Sequence, residues 1–207
     1  MAGQSAGMLA GMHSCIAFEA AQAAELRQRI SSEPWLMAAL RAVASSDLPD
    51  AWVGAGVIRD LVWGQLHEGF RPEAVKDIDV AFFDPCDLSP GRDEEAQHHL
   101  ANLAELPWEA TNQAAVHTWF DAHFGGPPVP PLVSVHDAVA TWPETATCVA
   151  IRQVGQRIDI CAPHGLDDLL NGVWRRNPTR VTREESRDRL ARHQVTGRWP
   201  GVTVIPP

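Results

Sequence analysis

The sequence predicts an α+β domain: a small, mixed and largely antiparallel sheet with helices packed on it. Three observations point there. The run Asp77-Ile78-Asp79-Val80-Ala81-Phe82-Phe83 alternates in the manner of a strand. A small-residue turn, Gly54-Ala55-Gly56, stands between a short apolar run and a helix-favouring one. Two β-rich stretches, 146–154 and 156–161, meet at Gly155 as a hairpin. A length of 207 residues fits one domain with a real core, and a hydrophobic content of 45% excludes wholesale disorder.

Taken in order, residues 1–17 read as a flexible leader, residues 18–195 as a single domain and residues 196–207 as an extended tail. Ala, Leu, Glu and Arg favour a helix over 18–30, and Ser31-Ser32-Glu33-Pro34 breaks it. A second helix follows, with Trp35, Leu36, Leu40 and Val43 as its apolar stripe. Residues 51–54 form a short strand leading to the glycine turn, and the helix over 57–66 turns Ile58, Leu61, Val62 and Leu66 inward. After the Asp77–Phe83 strand come a helix over 92–103, a strand at Trp108–Thr111 and a short helical stretch over 113–120. The loop 125–131, with four prolines, cannot donate most of its backbone bonds to a sheet. Ser134 caps a short helix with Asp137 in the capping-box position. Past the hairpin, 166–173 is helical, and Thr182 with Glu185 opens a last, charged helix.

Composition narrows the function. A formal net charge of -9 argues against a broad nucleic-acid surface, which needs clustered cations. It suits a small-molecule or protein acceptor better. Lys76 is the sole lysine, a composition bias without functional content. Cys15, Cys86, Cys148 and Cys161 are scattered, with no CxxC pair, so neither a zinc site nor a disulfide framework is indicated. No apolar run reaches membrane-spanning length, and the first residues lack a basic n-region, which leaves the cytoplasm as the default compartment.

The chemistry concentrates in the strand acids. Asp77 and Asp79 project to one side, roughly 6.6 Å apart along the backbone. Two such carboxylates repel unless a cation lies between them, and hard oxygens at that spacing suit Mg²⁺ together with substrate phosphates. The glycine turn at a helix start is a cradle for phosphates. A third acid, Asp159, lies in Arg157-Ile158-Asp159-Ile160, with the same local pattern. If the two strands are neighbours, the three acids converge on a divalent-metal site for attack on a phosphoryl group. The plain alternative is strand acids that only face solvent.

At this point the chain resembles a family. The run Val53-Gly54-Ala55-Gly56-Val57-Ile58-Arg59-Asp60-Leu61-Val62-Trp63-Gly64, followed by Lys76-Asp77-Ile78-Asp79-Val80, is similar to the nucleotidyltransferase superfamily that includes DNA polymerase β and the tRNA CCA-adding enzymes. The likeness to small bacterial nucleotidyltransferase family proteins extends through Trp108–His117, Trp142–Thr147 and Ile158–Leu166. It implies the polymerase β-like fold and Mg²⁺- or Mn²⁺-dependent transfer of a nucleoside monophosphate from an NTP, with pyrophosphate released. Asp77 and Asp79 would hold the metal and triphosphate, and Asp159 would complete the metal site. Ala55 and Gly56 would stand in the phosphate turn, where the superfamily usually has Gly-Gly or Gly-Ser, so contacts there would come from backbone N–H groups.

Other positions stay open between two roles. Arg59 pairs with phosphate or with a neighbouring acid. Asn112, Gln113 and His117 line the nucleotide or acceptor pocket, or Asn112 caps a helix beside an exposed His117. Glu144 and Thr145 belong to a pocket or to a structural turn. The eight tryptophans read as core and rim packing. For the acceptor, a small molecule or a protein ranks ahead of RNA. The alternative to an enzyme is a nucleotide-binding regulatory protein that keeps the fold.

Overall fold

A three-residue strand, β1 (Trp52–Gly54), forms the middle of a five-stranded sheet. The computed structural model describes residues 3–67, 69–125 and 127–207, with side chains from residue 17 onward. Two helices precede β1: α1 (Gly3–Ser31) and α2 (Pro34–Ala44). Pro34 begins α2, where its missing N–H costs nothing. Residues 1 and 2 of the expected leader lie outside the described residues, and from Gly3 its backbone continues into α1. After β1 come α3 (Gly56–Leu66), β2 (Ile78–Phe82), α4 (Gly91–Leu103) and β3 (Trp108–Asn112). A 3₁₀ stretch, Gln113–Thr118, then leads into α5 (Phe120–Phe124) and α6 (Val135–Val139). The hairpin is β4 (Ala150–Val154) and β5 (Arg157–Cys161).

The sheet order is β3-β2-β1-β4-β5, with β2 and β3 parallel and the other pairs antiparallel. Register divides the faces. Val53 stands opposite Val80 and Ile151, Ile151 opposite Ile160, and Val80 opposite Ala110. This face is the core side, closed by Leu26 and Ile30 of α1, Leu36 and Leu40 of α2, Ile58 and Leu61 of α3, and Leu100 of α4. The other face carries Gly54, Asp79, Glu109, Ala81, Ala150, Arg152, Asp159 and Cys161, because alternate strand residues point oppositely. There α6 covers a smaller apolar patch, Val135 and Val139 over Ala81, Ala150 and Cys161. The expected cap of α6 forms: Asp137 N–H donates to Ser134 Oγ at 3.1 Å.

The C-terminal quarter departs from the expected helix and extended tail. Helix α7 is short (Asp167–Leu170), and Val173–Trp174 (β6) follows as strand. Helix α8 (Arg183–Arg192) has its capping box, with Thr182 N–H on Glu185 Oε2 at 2.6 Å and Glu185 N–H on Thr182 Oγ1 at 3.2 Å. A turn, α9 (Val195–Arg198), then brings Thr203–Val204 (β7) alongside β6 in parallel. The reason is apolar: Trp199 and Val202 are buried, with Trp199 edge-on to Trp63 at 5.2 Å. Among the described residues no helix is long and apolar enough to cross a membrane.

Candidate active site

The site starts where β1 ends. Gly54 is the register partner of Asp79, and Trp142 lies against it so closely that a Cβ there would stand 2.7 Å from the indole ring. Only a glycine fits that contact. The next residue, Ala55, turns the chain at φ 58° and ψ -124°, a conformation that L side chains rarely adopt. Its N–H is anchored on Val149 O at 3.1 Å. The turn delivers Gly56 as the first residue of α3, between Arg59 Nη2 and Asp79 Oδ2, each 3.7 Å from where a Cβ would be.

Three carboxylates gather beside this turn. Asp77 lies exposed at the entry to β2, Asp79 is half-buried within it, and Glu109 on β3 stands opposite Asp79 in parallel register. Asp79 has its carboxyl pushed up to about 7. Burial is the main cause, and Asp77 and then Glu109 add like-charge repulsion; the Gly56 N–H and Arg59 pull the other way but do not win. Glu109 is also pushed up, by partial burial of its carboxyl and then by Asp77. No salt bridge satisfies any of the three among the described residues. Nor do the described residues contain a group of three His, Cys, Asp or Glu side chains already drawn together as around an ion.

Asp159 is not part of this cluster, which corrects the expected convergence. Strands β1 and β4 stand between β2 and β5, so Asp159 is three strand spacings, about 14 Å, from Asp79. It pairs with Arg157 at 2.7 Å and reaches Arg152 at 3.7 Å. The third carboxylate beside the turn is Glu109, which the sequence did not single out. The available signal was an acid between Trp108 and Ala110, both buried, on a strand.

The remaining candidates sort differently. Arg59 is 2% exposed and donates from both Nε and Nη2 to Asp60 Oδ1, at 2.9 and 2.6 Å, so the neighbouring-acid role is realised. Its guanidinium also sits 5.5–5.8 Å from the rings of Trp63, Trp174 and Trp199. Asn112 has no valence left for a ligand. Its Oδ1 accepts from Asp84 and Ala114 N–H, and its Nδ2 donates to Asp84 O and Asp87 O. Gln113 is buried, with Nε2 on Thr111 O. For Asn112 the capping role is therefore the one realised, and its amide is spent within the fold. His117 is half-buried, with Nδ1 at Ala114 O. Glu144 is fully buried and held bidentately by Arg189 at 2.6 and 3.0 Å, a structural clamp on α8.

A family model described as nucleotidyltransferase matches residues 41–204. The chain belongs to the nucleotidyltransferase family. A structural relative at 26% identity agrees with it at a TM-score of 0.73, covering 88% of this chain and 95% of that one; that relative is described as a protein whose NMR structure reveals a CCA-adding enzyme head domain. A second, a tRNA-processing enzyme in an apo form, matches the fold at 16% identity and a TM-score of 0.50, covering 81% of this chain and 42% of that one. No protein of curated function matches the sequence. The family assignment makes the chain a nucleotidyltransferase enzyme.

Proposed function

We propose that this nucleotidyltransferase moves a nucleoside monophosphate from an NTP to an acceptor hydroxyl or phosphate, with Asp77, Asp79 and Glu109 as the carboxylates of the reaction centre. The observation that carries this is three acids, none of them in a salt bridge among the described residues, beside a glycine turn at a helix start. In the transfer, a bond forms between the acceptor oxygen and the α-phosphorus while the bond from that phosphorus to pyrophosphate breaks. Pyrophosphate leaves, and a hydroxyl acceptor loses its proton to solvent.

The donor set fits a hard divalent cation, Mg²⁺ or Mn²⁺: oxygen ligands only, mutually repelling, with Asp79 held partly protonated near neutrality by burial and by the two neighbouring acids. Bound there, such an ion supplies charge neutralisation for the triphosphate. The chain does the rest. The Gly56 N–H is held by Asp79, and the start of α3 around it is a place where backbone donors favour an anion. Ala55, without a hydroxyl, leaves phosphate contact to the backbone. Arg59, locked by Asp60 and three tryptophans, places a fixed positive charge beneath the turn. Trp142 fills the space above Gly54 and keeps water from the strand end.

The net charge of -9 supports a small-molecule or protein acceptor ahead of a long RNA. The hydroxyl-free Ala55 turn is the feature that favours the alternative, a nucleotide-binding regulatory protein without turnover. Calorimetry with ATP in Mg²⁺ and in EDTA tests the centre. Mg²⁺ is expected to tighten ATP binding, and equal affinity in both buffers contradicts the proposed cation. Pyrophosphate release on incubation with acceptor mixtures separates the enzyme from the silent binder.

A further inference from the structure

The chain between β3 and β4 crosses the open face of the sheet and carries an aromatic cluster that the reaction centre does not use. Trp119 and Phe120 are 6.4 Å apart, Phe120 and Phe124 4.9 Å, and His123 lies edge-on to Trp119 at 6.1 Å and to Phe124 at 4.6 Å. Such a cluster normally serves as core, but here Phe124 is 56% exposed, and Trp119 and Phe120 are only partly covered. Against it rests Arg180, its guanidinium 5.1 Å from the Phe120 ring centre.

Arg180 is unusual among the cations. It is partly buried, yet no carboxylate or carbonyl pairs with it among the described residues. Burial alone pulls its pKa down, with no opposing acid. A guanidinium whose contacts are to a ring and not to acceptors keeps its N–H groups free, and these match the paired oxygens of a phosphate. Aromatic faces beside it suit a stacked base, whatever its identity.

Its place in the fold connects it to the centre. Asn177, three residues before Arg180, donates N–H to Pro143 O at 2.8 Å and Nδ2 to Trp142 O at 2.8 Å. Trp142 is the residue lying on Gly54, beside Asp79. Arg180 therefore stands within about 10 Å, by chain length, of the Asn177 backbone that is anchored to this segment. The triphosphate already has its turn and its carboxylates, so a second, separate cation serves the other reactant.

We propose that Arg180 with Trp119 and Phe120 forms an acceptor subsite for a nucleoside 5′-phosphate, its base stacked on the rings and its phosphate on the guanidinium. The role as acceptor subsite rests on the transferase reading above; the binding site itself does not. The same chemistry is offered by a free mononucleotide or by the end of an RNA, and the probes distinguish them.

The test is calorimetry on the full chain in EDTA with 5′-AMP, adenosine and a short single-stranded RNA. AMP is expected to bind saturably. Removing the phosphate (adenosine) or the charge (Arg180→Ala) should weaken it by roughly tenfold or more, the effect of losing a charged hydrogen-bonding partner. Phe120→Leu, which keeps the arginine, should weaken AMP and adenosine alike. Arg180→Lys should bind better than Arg180→Ala and serves if the alanine variant is unstable. RNA tighter than AMP, and equally dependent on Arg180, makes the ligand a nucleic-acid end; AMP alone makes it a free nucleotide. No saturable AMP binding, or equal AMP affinity in wild type and in Arg180→Ala and Arg180→Lys, overturns the subsite. Asp79→Asn keeps the two readings apart: it should abolish Mg²⁺-dependent ATP binding and leave AMP binding in EDTA intact. If ATP binding survives that change, the transferase centre fails while the Arg180 subsite stands or falls on the AMP result.

Discussion

The two sides of the sheet, β2–β3 and β4–β5, carry nearly the same sequence and opposite electrostatics. On the first, Asp79 sits between Ile78 and Val80 on β2; on the second, Asp159 sits between Ile158 and Ile160 on β5. Both acids point to the open face. Asp79 meets Asp77 and Glu109, two more carboxylates. Asp159 meets Arg157 and Arg152, and Arg152 goes on to Asp50 at 2.7 Å and lies over the Trp52 ring at 4.1 Å. One side needs an external cation, while the other has been closed with arginines. An acid on an apolar strand thus reports a face, and only its neighbours report whether that face has work left to do.

The comparison breaks most readily at Glu109. If the β2–β3 side is the reaction centre, Glu109→Gln should lower turnover about 100-fold, in line with removal of an electrostatic element of the transition state. ATP affinity should change less, and the split is read from kcat and KM. Turnover within twofold of wild type would return Glu109 to the solvated surface.

Stability against pH sharpens the same contrast. Asp79 in the folded protein holds its proton to about 7, against a reference value of 3.8. The folded state therefore binds more protons than the unfolded one between those values, so stability falls as pH rises from about 4 to about 7 and stays reduced above it. For a half-buried group the loss is about 2 kcal/mol after allowance for screening. Metal-free wild type should lose this much relative to Asp79→Asn between pH 4 and pH 8, measured by denaturant unfolding. Parallel stability curves for the two proteins would contradict the uncompensated charge. Mg²⁺ with ATP should recover the difference.

A smaller effect lies in the turn. Ala55 at φ 58° is strained, and Ala55→Gly removes the clash at the cost of a more flexible unfolded chain. The net gain should be about 1 kcal/mol or less. A loss of stability would show that the turn is relaxed as it stands.

Much of this was legible in the sequence, and the boundary is physical. Local chemistry reads locally: the Gly54-Ala55-Gly56 turn, the Ser134 cap, the Thr182–Glu185 box and the hairpin at Gly155 all formed where residue type and spacing placed them. What failed depended on partners distant in the chain. Nothing in Ile158-Asp159-Ile160 says that β1 and β4 stand between it and β2, so the acids seemed able to meet. Glu109 was hidden for the same reason, since its importance comes from parallel pairing with Asp79. The cage of Trp63, Trp174 and Trp199 around Arg59 is assembled only when the C-terminal segment returns onto α3. Asn112 looked available because its four partners lie in the 84–87 loop and beyond its own strand.

On the proposed function, the β2–β3 side of the sheet does the chemistry and the β4–β5 side does not. Pyrophosphate release from Mg²⁺·NTP, measured side by side for Asp79→Asn and Asp159→Asn, tests it directly. Asp79→Asn should fall by about 100-fold or more, whereas Asp159→Asn, a surface ion pair, should stay within about twofold with a stability change of about 1 kcal/mol or less. Comparable losses in both variants, or a larger one in Asp159→Asn, would contradict the account and move the reaction centre to β5.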